Sequence, residues 1–471
     1  MLPTPENYAI YPSVLPVGRV MEMIISPLER AFLFADGEEL TVTAIQTNGN
    51  EDNYDTLCSH KSFPVTAKEG VIRFTYTYEE EGQYLFWLIR EEKRIAELFV
   101  YALEEDLYAL TPLKGDFHSH SVRSDGKRDP AALAGHFREQ GYDFFALTDH
   151  NRYYPGSEVD EAYAGVKLGI TRVLGEEVHA PESNVHIVHV GGKSSVADLY
   201  FHHQEEYAAE IAEYESRVPA DVPEMYRYRY ARAMWATDRI HEAGGLAIFA
   251  HPYWRPKNVC VHNVRDQLAR MFLTNGMFDV YELVGAMGQV GVNRSINLWA
   301  DLRSEGLKIS IVGSSDAHGL EKSATFSHTF TVCLAEKNEN DAIIDAVRAG
   351  RTVAVEAAGE GYDRHYRCYG NLRLVSYAHF LLRHYFPKRQ RICQGEGTAM
   401  RAYLMGEVDA AMLEAQVAYS NAWRDRFLGK KPPVLPSAAI RDFEARALAV
   451  HATGPVTRGS RIKPKVAPEK K

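Results

Sequence analysis

The sequence predicts an α/β protein in three parts. These are a small all-β sandwich over residues 1–112, a βα-type sheet or barrel over about 113–357, and a helical extension over about 358–453. Three observations carry this. Short β-like runs enriched in Tyr and Phe crowd the first part. Strand and helix patterns alternate through the second, as in βα-type sheets or barrels, whose sites gather at the carboxyl ends of the strands. The alternation then stops and longer helical patterns take over. A length of 471 residues suits two or three domains.

In the first part the runs cover 20–25, 39–45, 71–78, 84–89 and 95–102, separated by turn-prone segments such as Ala35-Asp36-Gly37 and Asn48-Gly49-Asn50. No catalytic cluster falls there, so an accessory or packing module is expected. Pro112 opens the alternation. Residues 144–147, 172–174, 186–190, 246–250, 280–283, 308–312 and 330–334 read as short buried strands. Amphipathic helices are predicted over 129–140, 237–243, 295–305 and 339–348. A Tyr-, Glu- and Arg-rich helical insertion at about 193–236 is placed to form a wall or lid. Beyond residue 358, helices are expected over 372–386, 398–428 and 438–450, the last after Pro432-Pro433. Residues 454–471 mix Pro, Gly and basic side chains without periodicity, the pattern of a disordered, solvated tail.

Composition narrows the function classes. The chain is 45% hydrophobic and 25% charged, an ordinary soluble balance. A net charge of −10 argues against coating extended nucleic acid, which needs massed Lys and Arg, but leaves room for a nucleotide or short oligonucleotide. The cysteines (Cys58, Cys260, Cys333, Cys368 and Cys393) are scattered, odd in number and without CxxC spacing, which suits reduced thiols in a cytosolic protein. The N-terminus shows no secretory pattern, and no apolar run is long enough to span a membrane. The expected location is cytoplasmic.

Residues 115–126 read GDFHSHSVRSDG. In a strand, His118 and His120 point to one side, so both imidazoles can reach one cation, and Asp125 follows in a Gly-containing turn. Imidazoles with carboxylates suit zinc, manganese or iron over magnesium or calcium. Other strand ends repeat the theme. Residues 144–147 lead into Thr148-Asp149-His150-Asn151, and 171–174 into Gly175-Glu176-Glu177-Val178-His179. Residues 246–250 lead into His251-Pro252, and 309–312 into Gly313-Ser314-Ser315-Asp316-Ala317-His318. Val185-His186-Ile187-Val188-His189 carries its own pair. Each motif alone suits a capped turn or a satisfied histidine. Together at one sheet edge they imply metal, because burying so many ionisable groups is costly unless cations neutralise them.

The set GDFHSHSVRSDG, LTDHN, GEEV, VHIV, AHP and SSDAH resembles the PHP (polymerase and histidinol phosphatase) superfamily of metal-dependent hydrolases, most nearly its stand-alone TrpH-like and carbaryl-hydrolase-like branch. The resemblance spans about residues 113–357. It implies a distorted (β/α)7 barrel with two or three divalent ions (zinc, manganese or iron) at its mouth. Carried over by position, His118, His120, Glu177 and Asp316 would hold one ion. Glu177 would bridge to a second, held also by His186 and His251, and Asp125, His150 and His318 would hold a third. Glu176 competes with Glu177, and His189 with His186; the family pattern favours Glu177 and His186, and strand alternation keeps His186 and His189 from pointing the same way.

The resemblance further implies a metal-dependent phosphoesterase that uses a metal-bound hydroxide on a small phosphorylated substrate or nucleotide end. Asp149 is expected to orient a ligand. His318 or His179 is a candidate leaving-group acid, with a structural role the stronger expectation for His179. Arg255 matches a phosphate-binding arginine of the TrpH-like proteins, although Tyr253-Trp254 precedes it; Arg123 and Arg152 are weaker candidates. The alternatives are an ester or carbamate hydrolase of the same fold, and a non-catalytic binding or regulatory protein with a structural metal site.

Overall fold

The computed structural model describes residues 6–47, 60–256, 261–320, 326–359 and 364–452. The first strands are β1 (Tyr8–Tyr11), β2 (Val14–Pro16), β3 (Val20–Pro27), β4 (Glu39–Gln46), β5 (His60–Lys68), β6 (Val71–Thr77), β7 (Gly82–Arg90) and β8 (Lys93–Leu103). They form one sheet in the order β1-β3-β6-β5-β4-β7-β8-β2. The alternation that marks these strands fills its core. Tyr84, Phe86 and Leu88 of β7 are buried while their neighbours are only half-covered, and they join Met23, Ile25, Val42, Ile72 and Val100 in one cluster.

After helix α1 (Glu105–Tyr108), a second sheet is built from β9 (Thr111–Asp116), β10 (Phe144–Leu147), β11 (Thr171–Val178), β12 (Ile187–Val190), β13 (Leu246–Phe249), β14 (Val280–Val284) and β15 (Ser310–Gly313), with β16 (Thr329–Ala335), β17 (Thr352–Ala358) and β18 (His365–Tyr369). Its order is β15-β14-β13-β12-β11-β10-β9-β16-β17-β18. Strands β9, β10 and β11 are parallel, as are β13, β14 and β15, but β12 runs antiparallel to both its neighbours. The sheet curls until β15 meets β16 and β17 through side chains. Thr331 Oγ1 donates to the Gly313 carbonyl at 2.8 Å, and Thr352 Oγ1 to that of Ile311 at 2.8 Å. Just past the ends of β9 and β15, His120 N donates to the Ala317 carbonyl at 2.9 Å.

Around this sheet lie α2 (Pro130–Glu139), α3 (Pro155–Ala162), α4 (Ala197–His202), α5 (Gln204–Arg217), α6 (Glu224–Glu242), α7 (Asp266–Thr274), α8 (Gly288–Ser304) and α9 (Asn340–Arg348). Asp129 caps α2 by accepting from Ala131 N and Ala132 N, with Pro130 in the first turn, where no backbone donor is needed. The chain continues in α10 (Leu372–His384), α11 (Phe386–Leu404), α12 (Ala410–Phe427) and α13 (Ala438–Ala452). Buried Arg138 of α2 and Arg389 of α11 share the Asp143 carboxylate, and Arg138 also binds Glu396, so α11 is tied to the second sheet's surroundings by ionic hydrogen bonds.

Several elements differ from expectation. No helix joins β11 to β12, which breaks strict βα alternation, and the reversed β12 is the consequence. The 237–243 helix is the end of the longer α6, which begins inside the expected insertion. The 398–428 helix is two, α11 and α12, parted where Gly406 takes φ +73° and Asp409 caps the next start by accepting from Met412 N. The sheet continues past residue 358 into β18, and β1, β2 and β5 add to the first sheet. The tail at 454–471, Cys58 and Cys260 lie outside the described residues.

Candidate metal centre

Glu177, fully buried near the end of β11, is the centre of the site. Its two oxygens divide six imidazole nitrogens. Oε2 faces His118 Nε2 at 3.3 Å, His120 Nε2 at 3.4 Å and His150 Nδ1 at 2.8 Å. Oε1 faces His186 Nδ1 at 2.9 Å, His251 Nε2 at 3.2 Å and His179 Nε2 at 3.3 Å. Asp316 Oδ1 closes the first group, 3.0 Å from His120 Nε2 and 3.4 Å from His118 Nε2. To one side, Asp125 Oδ1 lies 3.1 Å from His318 Nε2 and 3.4 Å from His150 Nε2.

The topology explains this convergence. His118, His120, His150, His251 and Asp316 all follow parallel strands that end at one rim. His186 instead precedes its strand, because β12 runs the other way and its start lies at that rim. The same alternation sends Glu176 and His189 elsewhere. They face each other, Nδ1 to Oε1 at 3.3 Å, and Glu176 also accepts from Ser195 Oγ and Val196 N. Three non-glycine residues of the rim take left-handed backbone angles: Asn151 (φ +54°), His251 (φ +22°) and Asp316 (φ +49°). Such conformations cost about 1–3 kcal/mol each and persist where the surroundings impose them.

Buried carboxylates hold the ligand-bearing loops from behind. Asp149 accepts from Ser121 N at 2.8 Å, Ser121 Oγ at 2.7 Å and Ser124 Oγ at 2.5 Å, fixing the loop that carries Asp125. Asp116 accepts from His118 N and Ser315 N, joining the first and last motifs. Glu282 of β14 lies 3.0 Å from His118 Nδ1, leaving Nε2 for the centre. Sequence reasoning missed Asp116 and Glu282: neither has a histidine spacing, and Glu282 meets a residue far away in the chain.

The electrostatics favour positive charge at the centre. Burial opposes the His118 imidazolium, but Asp316 and Glu177 outweigh it and hold its pKa well above the ordinary value. Burial likewise opposes His150, yet the nearby Asp125 and Glu177 carboxylates raise it to about 10. Burial pushes Glu177 up, while His118, His179 and His186 bring it well below the carboxylate range. Asp316 is lowered in the same sense by His118 and His120, against its burial. For His186 burial wins, and its pKa falls to about 4. An ionised pair of carboxylates in such a cage attracts cations, and divalent ions compete there with protons on the imidazoles.

The residues fit divalent ions on a second ground. His118 Nε2, His150 Nδ1, His179 Nε2, His186 Nδ1 and Glu177 Oε2 are buried and make no hydrogen bond. Buried polar atoms are seldom left so, and here all of them face one carboxylate. Potential donor atoms group as His118/His120/Glu177/Asp316, as Glu177/His186/His251, and as Asp125/His150/His318 with His120, each set within 4.8 Å. The nine side chains named from the sequence are thus brought together. His179, expected to be structural, joins them. His318 has both ring nitrogens engaged, Nδ1 2.9 Å from the Asp316 carbonyl and Nε2 facing Asp125. Arg255 is exposed, its partner being His262 Nε2 at 3.3 Å. Arg123 is committed to Glu158, and Arg152 contacts the Tyr154 hydroxyl.

No protein-family model matches the chain, and no curated protein does. Solved structures similar to it include a two-domain protein from Bacteroides vulgatus containing a predicted PHP-like metal-dependent phosphoesterase, at 20% identity over 53% of this chain and 66% of that one, with a TM-score of 0.37. Another is a predicted metal-dependent phosphoesterase from Bifidobacterium adolescentis, at 18% identity over 45% of this chain and 89% of that one, with a TM-score of 0.33. A third is an amidohydrolase from Chromobacterium violaceum, at 20% identity over 45% and 89%, with a TM-score of 0.30. At these scores the likenesses carry no weight for function.

Proposed function

We propose that the chain is a PHP-type metal-dependent phosphoesterase acting on a small phosphorylated molecule or nucleotide end. The observation that supports this most is Glu177 shared between two sets of buried imidazoles, at the rim where the quoted motifs converge. On this reading β9–β15 form the distorted (β/α)7 barrel, residues 1–112 an accessory domain, and 358–453 a helical brace. His118, His120, Glu177 and Asp316 would hold one ion, Glu177, His186 and His251 a second, and Asp125, His150 and His318 a third.

Divalent ions held there acidify water and polarise the bond under attack. The chain's own groups do the rest. Asp149 fixes the Ser121–Ser124 backbone and so sets where Asp125 stands. Glu282 holds the His118 ring so that Nε2 faces inward. Arg255 carries a charge that no described carboxylate neutralises and follows the His251 strand end; it would meet a phosphate oxygen at the mouth. His318, whose Nε2 faces Asp125, would serve as a donor there and stays the candidate leaving-group acid.

A hydrolysis panel of phosphomonoesters, phosphodiesters, short oligonucleotides and carboxylic esters tests the reading. Turnover confined to phosphate esters, dependent on added zinc or manganese, is expected. Turnover confined to carboxylic esters would move the chain to the ester or carbamate alternative.

A further inference from the structure

His179 is left over by the ligand assignment above, yet it is placed like a ligand. It stands two residues beyond Glu177, the spacing that returns a side chain to the same side of an extended chain. Its Nε2 lies 3.3 Å from Glu177 Oε1, the oxygen also faced by His186 Nδ1 and His251 Nε2. That nitrogen is buried and makes no hydrogen bond. The ring stacks on His186, centroids 3.8 Å apart at 28°, and lies 4.6 Å from that of His150. His150, Glu177 and His179 also offer donor atoms within 4.8 Å of one another.

Its backbone is held in place as well. His179 N donates to Asn151 Oδ1 at 2.7 Å, and the same oxygen accepts from the Tyr200 hydroxyl of α4. Asn151 N donates in turn to the Glu177 carbonyl at 2.8 Å, from the left-handed conformation noted above. A ring needed only for packing would not require its free nitrogen aimed at a buried carboxylate.

We infer that His179 is a tenth donor of the centre, offering Nε2 beside Glu177 in the same group as His150. This rests on the metal-centre reading and adds to it. A nitrogen-rich donor set suits zinc or iron over magnesium or calcium.

The test uses the full chain stripped of metal and titrated with Co(II), followed by calorimetry and by the visible absorption of bound cobalt. Wild type is compared with His179→Phe, which keeps the stack on His186 but has no donor, and with His186→Ala. The expected result is that His179→Phe binds one ion at least about tenfold more weakly, with an altered cobalt spectrum and an unchanged metal-free melting temperature. Wild-type stoichiometry, affinities and spectrum in His179→Phe, alongside losses in His186→Ala, would overturn the inference alone. Wild type that binds no cobalt would overturn the metal-centre reading and this inference with it. If the phenylalanine variant does not fold, His179→Ala decides by the same criteria.

Discussion

A carboxylate buried as completely as Glu177 is costly to hold charged, and six imidazole nitrogens within 3.4 Å show what offsets that cost. Because the cage works as a unit, removing a ligand should act on chemistry more than on folding. Asp316→Ala or His120→Ala should lower phosphatase turnover at least about 100-fold, with the far-ultraviolet spectrum of the strands unchanged; near-wild-type turnover in either would count against the ligand set. The imidazoles also predict a pH effect in metal-free protein. The folded pKa of His150, about 10, lies above its ordinary 6.5, so its contribution to stability is complete below pH 6.5 and is lost as pH rises through about 10. Measured as the stability difference between wild type and His150→Ala, the effect is separated from buried Lys114, whose lowered pKa of about 7 acts oppositely in that range. A difference that stays constant from pH 6 to pH 10, on the scale of about one pKa unit either way, would contradict the assignment. At this scale much was legible. Candidate ligands that directly follow an apolar strand announce themselves locally, as in His118-x-His120 or Asp316-x-His318. His179 was not read as a candidate donor because its position depends on which side the chain takes after β11, and Glu282 was missed because its partner is brought close only by the curl of the sheet.

Turns and strand directions decide where those ligands go. In the Ser124-Asp125-Gly126 turn, a Cβ on Gly126 would stand 2.3 Å from the His120 carbonyl oxygen, a backbone atom that cannot retreat cheaply. Only glycine permits that approach. Gly126→Ala should therefore displace Asp125 and weaken the Asp125/His150/His318 position while leaving the Glu177 positions loaded. Metal counting by mass spectrometry of the native protein checks this, and full loading of the variant would show the turn to be unimportant. The reversed β12 was not legible in the sequence. Apart from His189 its residues are apolar, its neighbours are parallel, and only the His186 position, before a strand and not after one, hints at the reversal. Helix α2 was legible to within a residue because Asp129-Pro130 is a strong start signal. The break between α11 and α12 was missed because Leu404-Met405 continues an apolar pattern across it, and Gly406 alone ends the helix. Strand β18, His365–Tyr369, alternates too weakly to be read without β17 beside it.

The three parts of the chain share a packing seam. Tyr101 of β8 meets Tyr377 and Phe380 of α10, with centroids at 5.1 and 5.4 Å, and Ser13 N donates to the Phe427 carbonyl of α12. Two kinds of ion pair cross this region, and burial separates their worth. Arg389, Arg138, Asp143 and Glu396 are fully or nearly fully buried, so Arg389→Met should destabilise the protein by about 3–5 kcal/mol in urea unfolding by leaving Asp143 short of a partner. Arg373, bound to Glu81 and Asp106 at a more exposed site, should cost only about 0–1 kcal/mol when changed to Ala. Equal losses in the two variants would refute this ranking. No helix among the described residues is long and apolar enough to cross a membrane. The claim on which the rest depends is that the rim of the second sheet binds divalent ions for hydrolysis. Metal analysis of the purified full chain, paired with p-nitrophenyl phosphate turnover before and after chelation, tests it most directly. Two or three bound zinc, manganese or iron ions are expected, with turnover lost to the chelator and recovered when metal returns. A chain that takes up no divalent ion and stays inert after metal is added would contradict it.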